Sequence, residues 1–183
     1  SGGLMPQLSL FVLDQALDQQ ARWRAAGSDV TMSVNLSVTN LLDLDFPGQV
    51  AVLLAAHRVP GERLVLELTE DLFMADPARG ERVIDRLLVA GVRIAVDDYG
   101  TGYSSLGYLR DLRGIAGLKL DRSFVTHLDR DERARAIVGS TIGLARSLGL
   151  DLVAEGVETE EVRDALAALG CEVAQGFYFS RPC

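Results

Sequence analysis

At 183 residues, 48% hydrophobic and with a net charge of −8, the chain is the size of one domain with a sizeable core, and its acidity disfavours gripping duplex nucleic acid through a basic face. No apolar run reaches the length of a membrane span, and no basic segment leading into an apolar core opens the sequence. Cys171 and Cys183 offer neither a disulfide framework nor metal-ligand spacing, which points to a reducing setting: a cytoplasmic protein, or the cytoplasmic portion of a membrane-anchored one. The first residue is Ser1 rather than Met, which leaves room for a preceding segment.

In chain order, a helix is predicted over residues 8–26, with Leu10, Leu13 and Leu17 on one face, Trp23 as a packing anchor and Gly27 as its stop. Residues 31–37 read as a short strand with Asn35 near its end. Val50, Leu53, Leu54 and Ala56 mark a second helix after Pro47-Gly48. Pro60-Gly61 breaks the pattern before a strand over 64–68, which delivers Glu67 with Glu70 just beyond. Asp76 as N-cap and Pro77 in the first turn open a helix that Gly91 closes. His57 and His127 fall at helix ends or in exposed loops, away from every predicted strand end.

A strand over 94–97 stops at the adjacent carboxylates Asp97 and Asp98 and passes through Gly100-Thr101-Gly102 into a short helix near 104–111. A strand over 117–121 brings Lys119 and Asp121. After the solvated run 129–133, a helix over 133–148 carries Ile137, Val138, Thr141, Leu144, Ala145 and Leu148 on its apolar side. The strand over 150–155 ends on Glu155. Thr159 caps a helix with Val162, Leu166 and Leu169 inward, and a last strand over 172–175 ends on Gln175.

Regular alternation of strand and helix implies α/β architecture with parallel strands joined by crossover helices, and in a TIM-type (β/α) barrel all strand C-termini open on one face. Asn35, Glu67, Asp97, Asp98, Lys119, Glu155 and Gln175 would then meet there, although each taken alone reads as a surface charge or amide. Several carboxylates in one cup repel unless cations sit between them, and hard oxygen donors suit Mg²⁺, Mn²⁺ or Ca²⁺. A small phosphate ester can bind an acidic protein through such ions.

The series Asn35-Leu36-Ser37, Glu67-Leu68-Thr69-Glu70, Asp97-Asp98-Tyr99-Gly100-Thr101-Gly102-Tyr103-Ser104-Ser105-Leu106, Lys119-Leu120-Asp121-Arg122-Ser123-Phe124-Val125, Ala154-Glu155-Gly156-Val157-Glu158-Thr159 and Gln175-Gly176-Phe177-Tyr178-Phe179-Ser180-Arg181-Pro182 resembles the EAL domain, in that family's order and over essentially the whole chain. The family comprises bacterial phosphodiesterases that open cyclic di-GMP to linear pGpG. The resemblance implies that Asn35, Glu67 and Asp97 ligate a first Mg²⁺ or Mn²⁺, and that Asp97, Asp98 and Glu155 surround a second. Two such ions, roughly 3.5 to 4 Å apart, clamp the attacking and leaving oxygens of an in-line displacement. Lys119 matches the lysine that positions or activates the attacking water, and Gln175 the amide that orients water or substrate.

Asn35, Gln175, Arg181 and Pro182 match substrate contacts, whereas Glu70 matches a brace for the loop running from Asp98 to Ser105, which couples site to dimer interface. Thr101, Gly102, Ser104, Asp121 and Glu158 stand in the supporting loop positions. A homodimer and a fused sensor or diguanylate cyclase domain are further implications of the resemblance. Tyr99 replaces the more usual Phe, and Arg113-Gly114-Ile115-Ala116-Gly117 departs from the usual Leu-Pro-Val-Asp before the lysine strand.

The tripeptide Glu-Ala-Leu that names the family, whose Glu is a metal ligand there, does not occur in the 183 residues. Ser1-Gly2-Gly3-Leu4-Met5-Pro6 resembles the turn before the family's first long helix, so one barrel domain over residues 1–183 is expected, incomplete at its N-terminus with about six of eight strands. Three readings follow: a metal-dependent phosphodiesterase, a degenerate module that binds cyclic di-GMP without cleaving it, and a dimerisation scaffold. Retention of Lys119 and Glu155 speaks against the third, since a scaffold has no need for buried charges.

Overall fold

The computed structural model describes residues 4–69, 76–101 and 114–181. They fall into two compact units, Ser1–Ala95 and Val96–Cys183. The short helix expected near 104–111 lies outside the described residues.

The first unit runs α1 (Leu4–Ala25), β1 (Met32–Asn35), α2 (Val38–Leu41), α3 (Phe46–His57), a 3-10 turn (Gly61–Arg63), β2 (Leu64–Thr69), α4 (Pro77–Val89) and the start of β3 (Arg93–Tyr99). β1 lies parallel to β2 in a register that sets Met32 opposite Leu64 and Asn35 opposite Glu67. Leu64, Leu66 and Leu68 are buried at alternate positions of β2, as a pleated strand requires. The helix α4 begins as its sequence demands, with the Asp76 carboxylate accepting from the Arg79 amide at 3.1 Å.

The helix α1 buries Leu13 and Leu17, and its next inward position is Gln20, wholly buried, whose Nε2 donates to the carbonyls of Val30 and Arg63 at 2.9 and 3.0 Å. Gln20 thereby ties α1 to the strand entries, a task that an apolar side chain could not perform. Trp23 is not the packing anchor its size suggested; it is 40% exposed, because the buried stripe passes through 13, 17 and 20 and leaves 23 on the flank. His57 does end α3, but its Nε2 lies 2.8 Å from Asp14 Oδ1 with the side chain mostly covered, so it bridges two helices instead of projecting into solvent.

The second unit holds the rest of β3, then β4 (Ile115–Leu120), α5 (Arg122–Val125), α6 (Glu132–Leu148), β5 (Asp151–Ala154), α7 (Glu160–Ala168) and β6 (Val173–Ala174). β4 pairs parallel with β5, and β5 with β6. Leu120, Val125, Leu128, Val138, Ile142, Val157, Val162 and Leu166 pack into one apolar cluster. Asp131 caps α6 through the amides of Arg133 and Ala134, and Thr159 caps α7 through that of Val162.

The inward stripe of α6 is Val138, Ile142 and Ala145; Ile137 and Leu148, expected on the apolar side, are each 47% exposed. Spacing of four and then three residues explains this, since 137 and 148 sit one step off that stripe. Hydrogen-bonded strand order follows the chain, β1-β2-β3-β4-β5-β6. Six strands in chain order among the described residues, with helices between β1 and β2, β2 and β3, β4 and β5, and β5 and β6, give the strand order of a (β/α) barrel short of its full complement. No helix among the described residues is long and apolar enough to cross a membrane.

Candidate metal centre

In a regular strand Asp97 and Asp98 would point to opposite faces. They do not, because Asp98 adopts φ +53°, the left-handed region that Asp enters more readily than most non-glycine residues. The amide of Asp98 donates to Asp97 Oδ1 at 3.1 Å, and the carbonyl of Asp98 accepts from the amide and the hydroxyl of Thr101 at 3.2 and 3.0 Å. This turn folds both carboxylates toward Glu155, which leaves the end of β5 with its amide bonded to the Leu120 carbonyl at 3.1 Å. Ligand oxygens of Asp97, Asp98 and Glu155 all lie within 4.8 Å of one another.

Lys119, on β4 and buried, reaches into this cluster. Its Nζ stands 3.0 Å from Asp97 Oδ1 and 2.7 Å from Glu155 Oε1. Three carboxylates against one ammonium leave the group formally two charges negative, and every carboxylate donor is a hard oxygen. That donor set fits a divalent cation of the Mg²⁺, Mn²⁺ or Ca²⁺ class.

Electrostatics separate the two neighbouring aspartates. Burial, then the charges of Asp97 and Asp121, hold the Asp98 carboxyl above its ordinary value, with Lys119 pulling the other way. At Asp121 burial also pushes upward, but hydrogen bonds from Ser123 and Arg122 outweigh it and hold that carboxyl below its ordinary value. A raised folded-state value means that ionised Asp98 opposes folding above it, and that the penalty fades as pH falls toward the unfolded carboxylate range near about 4. Asp98→Asn is therefore expected to stabilise the metal-free protein at pH 7, with the advantage gone by roughly pH 4; Asn tolerates the same backbone conformation. Urea unfolding in EDTA at the two pH values checks this, and an equal or lower midpoint for the variant at pH 7 would contradict it.

The other residues singled out by sequence take the following places. Asn35 and Glu67 belong to the first unit, opposite each other on β1 and β2, with the Leu36 amide bonded to the Glu67 carbonyl at 2.8 Å and Glu67 buried. Gln175 leaves β6 beside the Glu155 segment: its amide donates to the Ala154 carbonyl at 2.8 Å, and its carbonyl accepts from Val157 at 3.0 Å. Glu158 is exposed, and the Arg181 guanidinium lies 5.4 Å from the centre of the Phe177 ring. Glu70, Gly102, Ser104 and Pro182 lie outside the described residues.

Two glycines entered the sequence reading only as motif letters, although each directly follows a proposed site residue. Gly156, after Glu155, has φ +74°, and a methyl group there would overlap Arg122 Cβ. Gly176, after Gln175, lies so close to the Val157 backbone that a methyl group would overlap its carbonyl oxygen and nitrogen. The legible signal was the repeated placement of Gly after a polar strand-end residue.

Over 181 residues the chain is 40% identical to the bifunctional diguanylate cyclase/cyclic di-GMP phosphodiesterase MucR of Pseudomonas aeruginosa, covering 98% of this chain and 26% of that protein. A solved structure of the PaMucR phosphodiesterase in complex with c-di-GMP matches with a TM-score of 0.91 at 40% identity, over 98% of this chain and 73% of that one. The manganese/cyclic di-GMP complex of Klebsiella pneumoniae BlrP1 at pH 9.0 matches with a TM-score of 0.88 at 30% identity, over 97% and 45%. The chain spans 22–30% of the length of the curated relatives MucR, YkoW of Bacillus subtilis and PA2567 of Pseudomonas aeruginosa. With the EAL domain profile matching residues 1–182, behind the strand order and the acidic cluster already described, the chain belongs to the EAL domain family.

Proposed function

We propose that this chain hydrolyses cyclic di-GMP to linear pGpG with Mg²⁺ or Mn²⁺, as part of bacterial second-messenger signalling. The observation that carries the reading is the Asp97, Asp98 and Glu155 cluster with Lys119 between two of its members. Relatives described as cyclic di-GMP phosphodiesterases, and a manganese complex among the similar structures, support the substrate and the ion. Asp97, Asp98 and Glu155 would hold one ion; for Asn35 and Glu67 as ligands of a second, the support is the motif resemblance and their shared register.

A bound ion of this kind supplies stabilisation to the charge that builds on the phosphoryl oxygens. Lys119 contributes a fixed ammonium that can orient a water for in-line attack, while Asp97 and Glu155 keep that ammonium in place. Gln175, exposed beside Glu155, orients water or substrate through its amide. Asn35, Arg181 and Pro182 are proposed substrate contacts. Glu70, Thr101, Gly102, Ser104, Asp121 and Glu158 are proposed to shape the surrounding loops. That residues 1–183 form one domain, that it pairs as a homodimer, that it works in the cytoplasm and that a sensor or cyclase domain accompanies it belong to the same proposal.

The test is turnover of cyclic di-GMP followed by chromatography of pGpG, with Mn²⁺ or EDTA, for the chain and for a form extended N-terminally by the family's Glu-Ala-Leu strand. Metal-dependent turnover that falls by about 10²-fold or more in Asp97→Asn is expected. Cyclic di-GMP bound but never cleaved by either form would replace this reading with that of a receptor.

A further inference from the structure

The helix α5 begins three residues after Lys119 and touches both turns that carry the acidic cluster. A methyl group at Gly100 would come within 2.9 Å of Phe124 Cε2 and 3.1 Å of its Cζ, so the ring lies directly against that glycine. On the same helix Arg122 Cβ fills the space beside Gly156, next to Glu155. The helix itself is fixed: Asp121 Oδ1 accepts from the Ser123 amide at 3.0 Å, Thr126 Oγ1 donates to the Arg122 carbonyl at 2.8 Å, and Val125 is wholly buried in the apolar cluster.

The Asp98 turn needs such a support. A left-handed conformation at a non-glycine residue costs free energy, and the Asp98 carboxylate is held within 4.8 Å of two others of the same charge. The turn is closed by the Asp98 carbonyl, which accepts from the amide and hydroxyl of Thr101, one residue beyond Gly100, so a shift of Gly100 moves the closing end of the turn. The ring of Phe124 blocks that shift.

We propose that Phe124 is a positioning residue of the metal centre, its ring holding the Gly100 end of the left-handed turn so that the Asp98 carboxylate stays beside those of Asp97 and Glu155; the inference rests on the metal reading above. Phe124 touches no reacting group itself and acts through the turn.

The test compares Phe124→Ala and Phe124→Leu with Val125→Ala, the neighbouring core position on the same helix, by Mn²⁺ titration calorimetry and by hydrogen exchange of the Thr101 amide in EDTA. Phe124→Ala weakens Mn²⁺ binding about tenfold and speeds Thr101 exchange, as loss of an outer support typically does to a metal site. Phe124→Leu restores most of both, whereas Val125→Ala lowers the melting temperature with Mn²⁺ affinity unchanged. Wild-type affinity in a folded Phe124→Ala, or an equal loss in Val125→Ala, overturns the proposal. A wild-type chain that binds no Mn²⁺ overturns the metal reading instead, and Thr101 exchange unchanged in Phe124→Ala then removes the support role as well.

Discussion

Replacing Lys119 with methionine is expected to lower the stability of the metal-free protein by about 3 kcal/mol and, under the proposed function, the rate of cyclic di-GMP hydrolysis by about 10²-fold or more. The stability loss follows from what the substitution leaves behind. Asp97 and Glu155 lie 3.0 and 2.7 Å from the ammonium, and the three side chains are only 10%, 12% and 20% exposed for Lys119, Asp97 and Glu155. Removing the ammonium takes the cationic partner from two carboxylates that stay close together, although residual solvent access holds the loss toward the lower end of the range for buried pairs. Mn²⁺ brings back positive charge at the same oxygens, so the stability deficit narrows when the ion is added, while activity stays low because the oriented ammonium is gone. Denaturant midpoints in EDTA and in Mn²⁺, beside turnover, check both halves. A variant as stable as wild type in EDTA would show that the lysine does not neutralise the cluster.

Gly176→Ala is expected to destabilise the protein by about 3 kcal/mol or to prevent its accumulation in folded form. The methyl group would meet the carbonyl oxygen and nitrogen of Val157, backbone atoms that cannot swing aside. Those atoms are also bonded: Val157 donates to the Gln175 carbonyl and accepts from the Tyr178 amide, both at 3.0 Å, so the segments on each side of Gly176 are stitched to Val157. Relief of the overlap would break this stitch and displace Gln175 and Glu155 together. Gly143→Ala provides the comparison, since no heavy atom lies within 4 Å of its added methyl and the site is within α6, where Ala is favoured over Gly by roughly 0.5–1 kcal/mol. Thermal melts of the two variants should move in opposite directions; a Gly176→Ala melt within a degree of wild type would contradict the packing argument.

The sequence made the elements legible where local rules act alone. Asp76-Pro77 and Thr159 start helices as expected, and the leucines of β2 fall at alternate positions and are all buried. Lys119 and Glu155 stood out in the sequence as charges carried within or at the end of apolar, strand-like runs. What escaped depended on tertiary structure. Gln20 is polar, so its place in the buried stripe of α1 is visible only once the carbonyls of Val30 and Arg63 face it. The shared side of Asp97 and Asp98 depends on one backbone angle, φ +53° at Asp98, which period-two alternation would never suggest. The lysine's partners, likewise, come from β3 and from the segment beyond β5, a meeting that no spacing along the chain encodes.

The central claim, that the Asp97, Asp98 and Glu155 cluster is a divalent-metal site, is tested most directly by Mn²⁺ titration calorimetry at pH 7 on wild type, Asp97→Asn and Glu155→Gln. Wild type is expected to bind Mn²⁺, with affinity reduced at least about tenfold in each variant, because each loses a charged oxygen ligand. Equal affinity in all three proteins, or no Mn²⁺ bound by wild type, would contradict it.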